Sequence, residues 1–527
     1  MKRKYYILLP MGITVVLLVV LSCLMFHDGA LTIEDYITID TPARIHPDYT
    51  STVIPPNIAP LNFQIKEPGK HFYAEIYSGN GKTIYVNSRN PVIRIPPRRW
   101  RKLLEINRGR ELNCDIYVKD KNDRWCKFKT ITNTIAEDEI DRYLIYRKID
   151  LCVAWYDMGI YQRDLSCFNE SVVLHNSTYN YGCTNCHSFL NNIPDNMVMQ
   201  VRSTKYGTPM LMGRGGKISA VNTKTEVTPG KCGFTAWHPG GKIIAFSLNK
   251  YSMMYHTATV EVREVFDHAA DLALYLLDEN RVISTGRITR PDRMETFPAW
   301  SPDGKYLYFC SAPQLPPEGH KEVLCDLMRI GFDPKTQKWG DLETVLEARK
   351  LKRSITQPRF SPDGRYILLS CSDYSDFPIH QAKCDLYLLE VATGQCRKMS
   401  ISSERNDSWH GFSGSGRWIV FNSKRMDGRF ARPHFSYFDQ TGRAHKPFVM
   451  PQKDPTYYDS LTRVYNIPEL ISRPVKISQR RLSESIINYK KTATAANAVT
   501  GATPGVMAPT MSPQPEKSAW PNADIRE

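Results

Sequence analysis

The chain has 527 residues, of which 42% are apolar. That is enough for two or three domains with a sizeable buried core. The formal net charge is +15, but the basic residues are scattered and no RNP, helix-turn-helix or zinc-finger pattern accompanies them, so nucleic-acid binding is set aside.

The chain opens with a positive cluster, Lys2-Arg3-Lys4, followed by an apolar run from Tyr5 to Phe26. About 20 apolar residues span a bilayer, and the basic flank stays on the cytoplasmic side. Residues 1–26 are therefore expected to be an uncleaved signal anchor. The alternatives are a lipoprotein signal ending at Val20-Leu21-Ser22-Cys23, where Leu21 is bulky for that role, and ordinary cleavage, for which no good small-x-small site is present. With either of the first two the remainder is expected in the cell envelope, membrane-anchored and facing the periplasm or exterior, and all three place it outside the cytoplasm.

Cysteine usage agrees with export. Of 13 cysteines, Cys23 lies in the export segment and Cys183 and Cys186 in a motif taken up below. The rest are Cys114, Cys126, Cys152, Cys167, Cys232, Cys310, Cys325, Cys371, Cys384 and Cys396, an even set that reads as disulfide material in an oxidising compartment. Cys114 with Cys126, Cys310 with Cys325 and Cys371 with Cys384 are the sequence-near pairs. The competing reading is that several are free, buried, small apolar residues.

Residues 27–60 are polar and Pro-rich, which reads as a linker or an extended lead-in strand. Residues 61–150 alternate as a small β domain does. Cys114-Asp115-Ile116-Tyr117-Val118 and Arg124-Trp125-Cys126-Lys127-Phe128 flank the turn-forming Lys119–Asp123, a hairpin signal. A β-sandwich of immunoglobulin or fibronectin kind is the expectation for this stretch.

Residues 151–232 hold Cys183-Thr184-Asn185-Cys186-His187. Two Cys three apart with His next is the c-type haem attachment signature: two thiols add to the haem vinyl groups, and the adjacent His lies beneath the iron. The surrounding Tyr181-Gly182 and Ser188-Phe189 resemble the haem-binding loops of c-type cytochromes. One covalent haem c per chain is thus expected, on Cys183 and Cys186 with His187 as proximal ligand. Met197, Met199, Met210, Met212 and His175 are the candidates for the sixth position. A Cys183–Cys186 disulfide, or a metal held by these thiols and a His, are the alternatives.

From residue 233 to 475 a motif recurs about every sixty residues, the mark of a repeat fold. The copies read FTAWHPGGKIIAFS from Phe234, TFPAWSPDGKYLYFCS from Thr296, TQPRFSPDGRYILLSCS from Thr356 and WHGFSGSGRWIVFNS from Trp409. Trp237, Trp300, Phe360 and Phe412 are the anchors. Pro fixes the first central turn residue and Gly suits the last, and an alternating strand follows. A second half recurs at Leu272–Asp278, Cys325–Ile330, Cys384–Glu390 and His434–Asp439. Strand, turn, strand, loop, strand, turn, strand makes one propeller blade.

On Trp300-Ser301-Pro302-Asp303-Gly304-Lys305 and Phe360-Ser361-Pro362-Asp363-Gly364-Arg365, the repeats resemble the WD-like propeller repeat of the TolB type, over about half the chain. The copies at Trp237 and Phe412 depart from it, the latter losing Pro and Asp. The resemblance implies a six-bladed propeller that binds partners on its faces. Residues 188–232 would supply a fifth blade and residues near 150–180 with 446–475 a sixth. The tail, 476–527, is expected to be disordered.

No Gly-x-Ser-x-Gly, His-Glu-x-x-His or P-loop occurs, and His238, His256 and His410 read as turn or loop residues, so no catalytic residue is assigned. The expectation is an all-β, membrane-anchored propeller protein with covalent haem, acting in electron transfer or redox sensing with a redox partner. The alternative is a haem-free envelope scaffold that binds protein or glycan through the propeller face.

Overall fold

The computed structural model describes residues 31–151, 157–256, 259 and 261–495. The apolar run 5–26, Cys152 and the part of the tail beyond 495 lie outside the described residues; the start of the tail, 476–495, expected to be disordered, instead includes a helix, Gln479–Ile487, that buries Leu482 and Ile486 against the propeller. Among the described residues no helix is long and apolar enough to cross a membrane. The chain is mostly β and folds as a β-propeller.

The repeats become sheets of four core strands, each starting with an inner strand. The inner strands are Cys183–Leu190, Cys232–Trp237, Arg293–Trp300, Ser354–Phe360, Asp407–Phe412 and Arg463–Ile471. The first five are each followed in sequence by the rest of their sheet. The sixth differs: Arg463–Ile471 pairs antiparallel with Tyr143–Asp150, which continues to Gly159–Asp164 and Glu170–His175. One sheet therefore joins a strand near the C-terminal end of the described chain to three from the middle.

Apolar layers between neighbouring sheets hold this arrangement. Met197 and Met199 pack on Ile145 and Leu174, Met210 and Met212 on Phe246 and Tyr275, Leu272 and Leu274 on Leu307 and Phe309. Tyr308 and Leu327 meet Ile367 and Leu369, and Leu368 and Leu386 meet Ile419 and Phe421. Trp418 and Val420 meet Leu144 and Tyr465, which closes the ring. The anchors Trp300 and Phe412 sit within these layers, as alternation along each strand requires.

The Ser-Pro-Asp-Gly turns behave as their chemistry dictates. The Ser301 and Ser361 hydroxyls donate to Asp303 and Asp363 at 2.6 Å. Gly304 and Gly364 both take φ +73°, a conformation glycine adopts without a Cβ clash. His238, at the turn of the preceding repeat, contacts the Gly304 carbonyl through Nε2 at 3.1 Å and so ties one sheet to the next.

The N-terminal β region differs from an all-antiparallel sandwich. Its main sheet is centred on Glu111–Lys119, and its edges are parallel pairs: Ile37–Pro42 with Trp125–Lys129, and Val53–Ile54 with Ile131–Ile135. Part of the Pro-rich stretch thus supplies strands. A helix, Pro97–Glu105, buries Trp100, Leu103 and Leu104. It starts at proline, which suits a first helical turn, and its apolar residues fall at i, i+3 and i+4. Tyr143–Asp150 belongs to the propeller.

The region shares one core with the propeller, and Trp418 Nε1 donates to the Asp138 carbonyl at 3.1 Å.

The three sequence-near cysteine pairs are unbonded thiols. Cys126 lies opposite Val118, four residues from Cys114 on that strand, which is about 13 Å and beyond disulfide reach. Cys384 lies opposite Ser372, so it and Cys371 point to opposite faces.

Candidate functional site at the propeller axis

Each inner strand slips register partway along its length, between Cys232 and Thr235, Thr296 and Ala299, Thr356 and Arg359, and Ser408 and Gly411. At the slip, Phe297, Gln357, Trp409 and Ile467 take φ between 48° and 55°, a left-handed backbone uncommon for such residues. A bulge re-aims a side chain; here it turns one residue per inner strand toward the common axis.

The Cys-x-x-Cys-His motif occupies this same place. Cys183–Leu190 is an inner strand, and its register slips between Thr184 and His187. Cys186 aligns with Phe234, Phe297, Gln357, Trp409 and Ile467, and all six line one axial cavity together with His187 and Arg359. The motif therefore lies inside a propeller sheet. The slip at 184–187 recurs in the other repeats but is invisible in composition, so sequence reading missed the equivalence.

The axis is plugged by aromatics. Phe234 stacks on Phe297 at 4.0 Å between centroids, and Trp409 stands 5.7 Å and 6.1 Å from the two. The cavity left is about 20 Å³, room for a single water.

Burial pushes the Cys186 thiol up to about 11, which keeps it a neutral thiol. Cys183 is half-buried and packs against the same axial cluster. Burial, with the charges of Arg147 and Arg359, pulls His187 down to about 3, so its imidazole is neutral. Neither ring nitrogen makes a well-formed hydrogen bond. The His187 ring lies 5.9 Å from Phe189, on the face that packs between sheets.

These residues do not fit a haem as the strand holds them. Attachment needs both thiols at one edge of the macrocycle and the imidazole beneath its centre. Here Cys183 and Cys186 join the axial cluster, and the axial cavity that Cys186 and His187 line is water-sized, with no room for a macrocycle.

The sixth-ligand candidates lie elsewhere. Met199 is directly opposite His187 on the adjacent strand, so the two side chains leave the same face and cannot face each other across an iron. Met197 joins Met199 in one layer, and Met210 and Met212 lie in the layer on the other side of the sheet. His175 is on an outer strand, bonded to Asp157 at 2.9 Å and Ser177 at 2.7 Å.

A hairpin covers the end where the inner strands begin. Its strands, Ile243–Tyr255 and Arg263–Leu276, run 13 and 14 residues, several residues past the sheet. Its contacts come from distant repeats. Lys424 donates to Glu261 at 2.6 Å, the Tyr374 hydroxyl donates to Glu264 at 3.1 Å, and His320 stacks on Phe266 at 4.4 Å. Asp376 accepts from the Asp267 backbone amide at 3.3 Å, and Asn249 donates to Asp267 at 2.5 Å. Burial and the facing Asp376 push the Asp267 carboxyl well up, so the pair holds a proton.

Sequence reading assigned no role to these residues. The only available signal was the length of the apolar and polar alternation from Ile243 onward.

His256 contacts Glu264 at 3.1 Å. His410 is buried against the Leu368 carbonyl and His238 lies at a turn, so these three histidines form no common site.

No known family's sequence profile matches this chain, and no curated protein does. Solved structures of similar fold exist. One from a nidogen/laminin complex is 8% identical, with a TM-score of 0.37, over 63% of this chain and all of that one. The Dos1 propeller is 12% identical, with a TM-score of 0.33, over 53% and 64%. A prolyl endopeptidase is 10% identical, with a TM-score of 0.32, over 58% and 42%. Likeness at this level adds nothing to the argument from the sheets.

Proposed function

We propose that this is an exported, membrane-tethered propeller of six blades, closed by the pairing of Arg463–Ile471 with Tyr143–Asp150, and that it serves as a haem-free binding scaffold of TolB type in the cell envelope. The observation that carries the reading is the sealed axis. An aromatic plug with room for one water, beneath a hairpin tied to three other repeats, leaves the rim and faces as the surface a ligand meets. Tyr181 and Tyr255, 62% and 53% exposed, stand near the hairpin end, and exposed tyrosines suit protein or glycan contacts. In this reading Cys183 and Cys186 form a disulfide on export.

A second reading, covalent haem at Cys183 and Cys186, is favoured by one observation: a buried neutral imidazole with two poorly satisfied nitrogens beside two thiols. It requires residues 183–187 to leave the strand.

Intact mass and a pyridine haemochrome spectrum of protein made with a cytochrome c maturation system separate the readings. The scaffold reading expects loss of two hydrogens and no Soret band. A haem-sized mass increment overturns it. Photo-crosslinkers at Tyr255 and, as control, at Asp341 on an outer edge test the surface: specific envelope adducts are expected from Tyr255 alone.

A further inference from the structure

One stretch departs from the scattered distribution of charge. Residues 82–110 hold nine Lys and Arg against one acid, Glu105, and the fold gathers them on one surface. The helix Pro97–Glu105 turns Trp100, Leu103 and Leu104 inward. Arg98, Arg101 and Lys102 are left exposed as one outward stripe, since residues three and four apart share a helix face. Ile106, just past the helix, is 42% exposed.

The turn joining His71–Ser78 to Ile84–Ser88 is fixed to this end of the helix. The Asn80 amide donates to Asn107 Oδ1 at 2.8 Å, and Asn107 Nδ2 donates to the Asn80 carbonyl at 2.8 Å. A Cβ on Gly81 would fall 2.7 Å from Ile106 Cδ1, and one on Gly79 would fall 3.0 Å from Arg110 Nη1. Lys82 and Arg110, both exposed, therefore continue the stripe past Ile106.

Local acids do not neutralise this surface. Glu139 holds Arg108 at 2.5 Å, and Asp454 lies 4.0 Å from Arg94. Among the described residues Arg98, Arg101 and Lys102 form no ion pair. With Glu105, Glu111 and Glu137 included, the nearby acids are still outnumbered by the cations from Lys82 to Arg110.

The surface also lies close to where the chain enters. The Leu31 amide donates to the Tyr73 hydroxyl at 3.0 Å. Five residues of strand, about 17 Å, lead from Tyr73 to Ser78 at the turn. From Phe26, the end of the apolar run, to Leu31 the chain spans at most about 18 Å.

We propose that this basic surface is a seat for anionic lipid headgroups, which holds the N-terminal region on the bilayer beside the chain's own anchor. Headgroup phosphates supply the negative charge the stripe lacks, and Ile106 meets the headgroup boundary. The proposal rests on the tethered reading above, because the anchor is what brings this face to a bilayer. It leaves the propeller faces free for a ligand.

The test places the full chain in nanodiscs of phosphatidylcholine, with and without phosphatidylglycerol. Acetylation by sulfosuccinimidyl acetate is read by peptide mass spectrometry at Lys82 and Lys102. Lys335, in the exposed turn between Asp326–Asp333 and Lys338–Leu346, is the control. Phosphatidylglycerol is expected to slow labelling at Lys82 and Lys102 about fivefold and to leave Lys335 unchanged. High salt is expected to remove the protection, since it screens exposed charge. Arg98→Gln with Arg101→Gln, both exposed changes, is expected to remove most of the protection at Lys102 without altering the melt.

Equal rates in the two discs, or slowing as large at Lys335, overturns the proposal. An oligonucleotide added to phosphatidylcholine discs at equal phosphate concentration is the competing polyanion. Protection by it as strong as that by phosphatidylglycerol overturns the assignment to lipid. A chain that does not stay with phosphatidylcholine discs removes the tethered reading. The basic surface must then by itself make the chain sediment with vesicles containing phosphatidylglycerol and not with phosphatidylcholine alone; failure there overturns this proposal as well.

Discussion

At the scale of single residues, the axis and its surroundings are governed by buried groups whose charge states differ from those in water. His187 and His410 are both pulled down to about 3 by burial first. A group whose folded value is depressed leaves the unfolded chain binding the proton first, so stability falls as pH drops below about 6.5. His187→Phe should therefore flatten the acid side of the curve. The loss between pH 7 and pH 4 in urea midpoint experiments should shrink by up to about 3 kcal/mol.

Glu469 runs the opposite way. Burial pushes it up to about 7, and it accepts from the Phe189 amide at 3.0 Å. Its contribution is present at low pH and lost as pH rises through 7. Glu469→Gln, which keeps the acceptor, should raise the urea midpoint at pH 8 and leave it nearly unchanged at pH 4, below the unfolded value near 4.5. Trp409→Ala opens the plug and should cost about 3–5 kcal/mol in the same measurement. Cys183, Cys186 and His187 were legible as a constellation because spacing is local. Their orientation was not, because the slip at 184–187 decides which side chains share a face.

At the scale of elements, the Ser-Pro-Asp-Gly turns were legible because the hydrogen bonds that shape them are made within five residues, as in Ser301 with Asp303 and Tyr306. The capping hairpin was not, since its partners Tyr374, Asp376 and Lys424 come from other repeats. The Lys424–Glu261 pair is largely buried, and removing one member of such a pair costs about 3–5 kcal/mol. Lys424→Met should thus loosen the hairpin. Hydrogen exchange over residues 249–267 should speed by about a hundredfold, with little change in the exchange of the Leu307–Phe309 strand. The helix Pro97–Glu105 shows the same divide: its period was present in the sequence, but the β alternation around it dominated the reading.

At the scale of the whole molecule, closure of the ring is the long-range event. Arg463–Ile471 lies more than three hundred residues from Tyr143–Asp150, and it completes both the last sheet and the layer against Trp418. A chain ended after Thr462 should lose its near-ultraviolet circular dichroism and its cooperative melt. A chain ended after Lys490 keeps every inner strand and should melt within a few degrees of the full chain, because among the described residues it removes two short outer pairings, at Lys491–Thr492 and Thr494–Ala495.

The sequence by itself determined the β class, the repeat and the turn chemistry, since alternation and turn preference act over a few residues. The tertiary structure decided the rest: that Cys186 stands in line with Phe297 and Trp409, that the axis is sealed, and that Lys424 pairs with Glu261 of the capping hairpin. The reason is physical. A bulge, a layer and a charge balance are relations between strands, and their members lie scores to hundreds of residues apart along the chain.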